Sequence, residues 1–199
     1  MRDKILEISK ELFLNLGFKS VTMDEIANGL GVSKKTIYKY FNNKTELVNA
    51  VTEFMFISIC EGIDMICLLD KNPIEEIFDI KRFVMANLKD EKSSPQYQLQ
   101  KYYPKIYASV MKKQFDLMQN CVLNNLKNGI EQNLYRKDID VEFISRIYFS
   151  GMTAIKNNDL FPLNNYSMNT LMSHYLNYHL RGICSQKGIK QLENQLKLT

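Results

Sequence analysis

The chain is poor in the residues that break helices, with eight glycines and four prolines in 199 residues. It also has no tryptophan, two histidines and four cysteines. Scarce glycine and proline fit an almost wholly helical protein, and no stretch alternates apolar and polar residues cleanly enough to read as a strand. Cys60, Cys67, Cys121 and Cys184 lie far apart and form no CxxC pair. That spacing argues against a zinc site or a disulfide framework and for buried thiols in a reducing compartment. His174 and His179 are five apart, whereas a shared metal on a helix wants three or four. No nucleophile motif and no phosphate-cradling glycine loop is present, so the reading is of a protein that is not an enzyme and implies no cofactor and no metal. The most apolar run, Phe54 to Cys60, is too short to cross a bilayer. The N-terminus lacks the shape of a signal peptide, and the expected location is the cytoplasm.

What the chain does have is charge in one place. Its formal net charge is +4. Between Ile26 and Thr45 stand Lys34, Lys35, Lys39 and Lys44 with no acidic residue, so this window carries the whole excess and the remainder sums to zero. A localised basic patch points to a polyanionic partner at one site.

That window belongs to the stretch around which the chain is organised, Val21 to Leu47. Thr22 followed by Glu25 is a capping box, with Val21 and Ile26 as its hydrophobic staple. Ile26, Ala27 and Leu30 give the first short helix one apolar face, and Gly31 stands where a left-handed residue would end it. Ser33 caps a second helix, expected to run to about Tyr40, with Val32 and Ile37 as its staple. Ile37 and Phe41 are four apart and point into a small core, while Lys34, Lys35, Tyr38 and Lys39 fall mostly on the opposite side. Two capped helices around a tight turn, the second presenting lysines, suit a helix-turn-helix laid in the major groove of DNA. Asn43 with Glu46 starts a third helix of this region. Lys44 stands in its first turn, where a cation opposes the helix dipole, a local cost explained if it grips a phosphate.

Gly17, Thr22, Ile26–Ala27, Gly31–Val32–Ser33, Thr36–Ile37–Tyr38, Tyr40–Phe41 and Lys44–Thr45–Glu46–Leu47 together resemble the N-terminal DNA-binding domain of TetR-family (tetracycline-repressor-like) transcriptional regulators. The resemblance covers about the first fifty residues. It implies an all-α protein with a three-helix head, residues 1–47, joined by a long helix to a larger helical domain, residues 48–199, for effector binding and dimerisation. It also implies that Thr22, Tyr38, Tyr40 and Lys44 contact phosphates. Ser33, Lys34, Lys35, Thr36 and Lys39 are the candidates for the groove and base edges. The implied partners are double-stranded DNA with a palindromic operator, a second copy of the chain, and a small effector that releases the DNA.

At the start of the head, Ile5, Ile8, Leu12, Phe13 and Leu16 form the stripe of a first helix that ends at Gly17. Beyond it, periodicity predicts one long helix to about Leu69, and a fifth helix opened by Asn72 and Pro73 with Ile77, Ile80, Phe83, Val84 and Leu88 inward. A polar loop is expected at 90–95, then a short segment 96–103. Pro104 marks either a kink or a new first turn. A long helix follows from about Lys105 to Asn128, with Gly129 either capping it or lying inside a continuation. Asp140 and Ser167 cap two further helices, about 141–157 and 167–186, each apolar on more than one side, and Gly151 would allow them to approach closely. The resemblance implies that these two form the dimer interface, the other reading being that they are core helices of a larger monomer. The tail is expected to add one more short helical turn or two, loose at its end. An aromatic and methionine-rich middle (Phe54, Phe56, Tyr97, Tyr102, Tyr103, Tyr107, Met111, Phe115, Met118 and Tyr148) would make any effector cavity apolar. Two other readings share parts of this pattern: a non-specific architectural DNA binder, and a helical interaction module with a degenerate head.

Overall fold

A computed structural model describes residues 1–88, 95–162 and 164–197. It is all-α: α1 Arg2–Leu16, α2 Met23–Leu30, α3 Lys34–Tyr38, α4 Lys44–Cys67, α5 Pro73–Leu88, α6 Pro95–Tyr102, α7 Pro104–Glu131, α8 Val141–Ala154, α9 Met168–Ile183 and α10 Gln186–Leu196. Among the described residues there is no strand, and Tyr135 and Cys184 form an isolated antiparallel bridge. No helix among them is long and apolar enough to cross a membrane. The expected polar loop at 90–95 lies outside the described residues apart from Pro95, which opens α6.

The chain forms two compact units. The first holds residues 1–61 and, among those described after residue 88, 95–112; the second holds 62–88 and the described residues from 113 onward. The division falls inside α4 and inside α7, which are each continuous helices. The long helix after the head is thus observed, at about 36 Å for its 24 residues.

In the first unit, Ile5 and Phe13 of α1, Ile26 of α2, Ile37 and Phe41 around α3, and Leu47, Val48 and Val51 of α4 share one buried core. Phe18 and Val21 fill it from the α1–α2 connection, and Phe13 and Phe18 stack at 4.9 Å. Leu99 of α6 and Ile106 of α7 complete this core, so the unit around the head reaches well past residue 47. Pro104 is the first residue of α7, which resolves the choice between kink and new turn in favour of the turn.

The second unit closes around Ile74, Ile77 and Phe78 of α5, Leu126 of α7, Tyr148 of α8, Leu176 and Leu180 of α9 and Leu192 of α10. Here two expectations are corrected and the choice left open at Gly129 is resolved. The buried stripe of α5 runs through Ile74 and Phe78, with Ile80, Phe83 and Val84 only half-buried. Gly129 does not cap α7, which continues to Glu131 with the Tyr135 ring packed over the glycine. The last long helix stops at Ile183, before the expected 186, and a separate α10 of 11 residues follows, longer than the turn or two expected of the tail.

That break has a physical cause away from its own sequence. The Arg136 N–H donates to the Ile183 carbonyl (2.9 Å), and the Ser185 N–H donates to the Leu134 carbonyl (2.9 Å). The Ser185 hydroxyl donates to the Asn133 carbonyl (2.7 Å) and accepts from the Gly188 N–H (3.1 Å), capping α10. Residues 133–136 thus take up the backbone groups that ending α9 leaves open. At the centre of the unit, buried Tyr135 donates its hydroxyl to Asn125 Oδ1 (3.0 Å), and Asn125 Nδ2 donates to the Pro73 carbonyl (2.9 Å) and to Glu76 Oε1 (2.7 Å).

Candidate nucleic-acid interface

The turn between α2 and α3 is built from local signals. The Glu25 N–H donates to Thr22 Oγ1 (3.2 Å), and the Glu25 carboxylate accepts from the Thr22 N–H (2.6 Å), which closes the capping box. Gly31 ends α2 at φ 66°, ψ 30°, a left-handed conformation that costs a residue with a Cβ far more than glycine. The Thr36 N–H then donates to Ser33 Oγ (3.2 Å), capping α3. α3 is shorter than expected and ends at Tyr38. The Tyr40 and Phe41 N–H groups both reach the Ile37 carbonyl (3.0 and 3.1 Å), and this tightened turn swings Phe41 inward.

The consequence is a clean division of faces. Ile37 is fully buried and Phe41 nearly so, while Ser33, Lys34, Lys35, Tyr38, Lys39 and Tyr40 are exposed and Thr36 is half-buried. Tyr40, whose sequence position left it beside the core residue Phe41, is about as exposed as Tyr38. Among the described residues, no side chain pairs with Lys35 or Lys39.

Two lysines are less simply presented than their spacing suggests. Lys34 Nζ is 2.7 Å from Asp24 Oδ2, and that hydrogen bond raises the pKa of an ammonium that is otherwise exposed. Asp24 lies ten residues away, a separation that no helical periodicity flags. Lys44 is half-buried, and its Nζ donates to the Lys19 carbonyl (2.9 Å). Burial lowers its pKa, and the negative charge of Glu25 opposes that shift. A lysine has three N–H donors, so Lys44 keeps two for another acceptor. Its helix is capped by Asn43, whose Oδ1 accepts from the Glu46 N–H (2.9 Å), while the Glu46 carboxylate turns to the Asn42 N–H (2.9 Å).

Residues 5–51 match the model of bacterial regulatory proteins, tetR family. The head of the chain therefore carries the N-terminal domain of that family. Over 62 residues it is 36% identical to the HTH-type transcriptional activator FasR of Mycolicibacterium smegmatis, covering 31% of this chain and 28% of FasR. The chain therefore spans less than a third of that relative's length. Across nearly the whole chain the TetR-family fold recurs in a transcriptional regulator from Agrobacterium tumefaciens, with 14% identity, TM-score 0.72, and 92% and 97% of the two chains covered. It recurs in Thermus thermophilus FadR, a TetR-family repressor solved in complex with lauroyl-CoA, with 19% identity, TM-score 0.59, and 94% and 96% covered. At these identities the two structures speak for the fold.

In the second unit the close helix approach expected at Gly151 is observed. α8 and α9 approach closely where the Tyr175 ring lies over Gly151, leaving no room for a Cβ there. The Tyr175 hydroxyl donates to the Ile147 and Tyr148 carbonyls (both 3.1 Å). His179 packs between Tyr148 and Tyr175, with ring centroids at 5.0 and 5.8 Å, and burial lowers its pKa to about 4. On the same two helices Phe143, Ile147 and Tyr178 face outward at 59%, 44% and 79% exposure. Among the described residues no cluster of three metal-ligating side chains occurs.

Proposed function

We propose that this protein is a sequence-specific DNA-binding transcriptional regulator, a dimeric repressor that a small apolar effector releases from a palindromic operator. The observation that carries the reading is the division of faces at α3: Ile37 and Phe41 held in the core, Lys35, Tyr38 and Lys39 left outward on a short helix fixed by two caps and a glycine turn. Lys35, Thr36 and Lys39, with Ser33 and Lys34 at the start of the helix, are assigned to the groove. Thr22, Tyr38, Tyr40 and Lys44 are assigned to phosphates, Lys44 through the two N–H groups that its bond to Lys19 leaves available.

One short helix covers too few base pairs for selectivity. Two heads about 34 Å apart would read successive half-sites on one face of the duplex. Phe143, Ile147 and Tyr178 support α8 and α9 as the faces that pair with a second copy, because exposed large side chains on two adjacent helices gain by association. The helical region after residue 47 is assigned to dimerisation and effector binding, and the protein to the cytoplasm, where its DNA would be. The complex of Thermus thermophilus FadR with lauroyl-CoA supports an effector with an apolar part. Release requires only that the effector bind one head spacing better than the other.

The test is selection of bound fragments from genomic DNA with the full chain, followed by competition with random duplex at fixed salt. A specific regulator prefers its selected site by about a thousandfold or more. Equal competition by all sequences would instead identify an architectural binder, and no retention would identify an interaction module. On the selected site, Lys35→Ala should change which sequences are preferred. Lys44→Ala should weaken all of them and lower the salt slope by about one per head.

A further inference from the structure

A second group of cations lies in the same compact unit as the helix-turn-helix, outside it in sequence. Lys19, in the α1–α2 connection, places its ammonium 5.0 Å from the centroid of the Tyr102 ring. Lys101 of α6 places its own 5.7 Å from that ring and 5.5 Å from the ring of Tyr97, and donates to the Tyr97 hydroxyl (3.4 Å). Both lysines and both tyrosines are exposed. Among the described residues no carboxylate pairs with either lysine. Two ammonium groups gathered at one tyrosine repel each other, and among the described residues the ring faces and the Tyr97 hydroxyl offset that repulsion.

The group is held firmly. Gln98 Oε1 accepts the Lys19 N–H (3.1 Å), and the Gln98 amide fills the space over Gly17. Leu99 is buried in the core of the head, and Tyr103 meets Phe18 edge-on at 6.5 Å. The Lys19 carbonyl is also the acceptor for Lys44 Nζ (2.9 Å). The pair Lys19 and Lys101 is therefore continuous with Lys44, the phosphate contact proposed above. A cation pair carried on packed backbone, with no carboxylate partner among the described residues and next to a lysine assigned to phosphate, has the chemistry to take more of the same polyanion.

We infer that Lys19 and Lys101 form a second phosphate-binding patch, which contacts the DNA backbone beyond the segment read by α3. This rests on the DNA-binding reading of α3 and Lys44. The contacts are sequence-independent, and they lengthen the footprint without changing the sequence preferred.

The experiment uses the full chain and the fragment recovered by selection, prepared as two duplexes: one trimmed to the two half-sites, the other extended by ten base pairs at each end. Lys101→Ala and Lys19→Ala are expected to weaken binding several-fold on the long duplex only, lowering its salt slope by about one for each copy of the lysine removed. Lys101→Arg keeps the charge and should bind like the parent. Lys44→Ala should weaken both duplexes. Thermal melting of each variant establishes that it is folded. Wild-type binding with no loss in either lysine variant, or with equal loss on both duplexes, overturns the patch and leaves the DNA-binding reading standing. Failure of the wild-type chain to bind any selected fragment overturns that reading, and the patch with it.

Discussion

The two compact units solve opposite surface problems. The unit around the head buries most of the large aliphatic side chains of α1 to α3, although Leu16, placed on the inward stripe by periodicity, is exposed, and it turns outward lysines, hydroxyls and tyrosines with polar tips. The second unit leaves Phe143, Ile147 and Tyr178 in solvent, although it has a well-filled core of its own. A polar, basic surface with a saturated core suits a charged partner. Apolar side chains left over on two packed helices suit a partner that is itself apolar. The units also differ in how they are tied together. The turns of the head are closed by side chains three residues from their partners, at Thr22–Glu25, Ser33–Thr36 and Asn43–Glu46. The second unit is closed by contacts between distant positions: Asn125 to Pro73, Ser185 to Asn133, Lys81 to Ser173 and Gln191 to Glu75.

The sharpest way to break this contrast is to open the core of the head. Phe41→Ala removes a nearly fully buried ring and should cost about 3–5 kcal/mol, read as a lowered midpoint in urea with loss of DNA binding. A variant that melts like the parent would mean that the faces of α3 are not fixed as described.

The second unit should lose stability as pH falls. His179 has a folded pKa of about 4, below the ordinary value of 6.5, because its burial between Tyr148 and Tyr175 penalises the imidazolium. The unfolded chain therefore takes up the proton first. Stability from the neutral imidazole is complete above pH 6.5 and is lost as pH falls towards 4, by about 3 kcal/mol in all. Urea denaturation between those pH values should show the decline, and His179→Phe should flatten it. A decline that survives the substitution would assign it to other groups.

A smaller effect is expected at the polar centre of the second unit. Tyr135→Phe keeps the ring but leaves Asn125 Oδ1 without the hydroxyl proton, at a cost of about 1–3 kcal/mol. An unchanged midpoint would show that another donor replaces it. The smallest change in stability belongs to the surface of the head. Asp24→Asn removes an exposed ion pair and should leave the urea midpoint nearly unchanged. It also releases Lys34 from its neighbour, so affinity for random duplex should rise a few-fold and the salt slope steepen. Unchanged DNA affinity would place Lys34 outside the interface.

Legibility followed the range of each contact along the chain and not the unit it lies in. The caps at Thr22, Ser33, Asn43, Asp140 and Ser167, and the left-handed Gly31, were readable because the groups that satisfy them lie within a few residues. The end of α9 was not. The stretch from Ile183 to Gln186 has no proline or glycine to stop a helix, and the groups that stop it belong to residues 133–136. In the candidate site the outward lysines were readable from the positions of Ile37 and Phe41. The neutralisation of Lys34 by Asp24 and the bond from Lys44 to the Lys19 carbonyl were not, since both join residues on different elements.

The sequence by itself determined the helical class, the helix-turn-helix and the side of α3 that carries charge, because periodicity, caps and a left-handed glycine act over one or two turns. Only the tertiary structure decided that α6 closes the core of the head and gathers Lys19 and Lys101 there, and that the chain breaks between α9 and α10. It also decided that Phe143, Ile147 and Tyr178 are left outward. Each of these depends on which distant residues share a core or a hydrogen bond, and no local pattern encodes that.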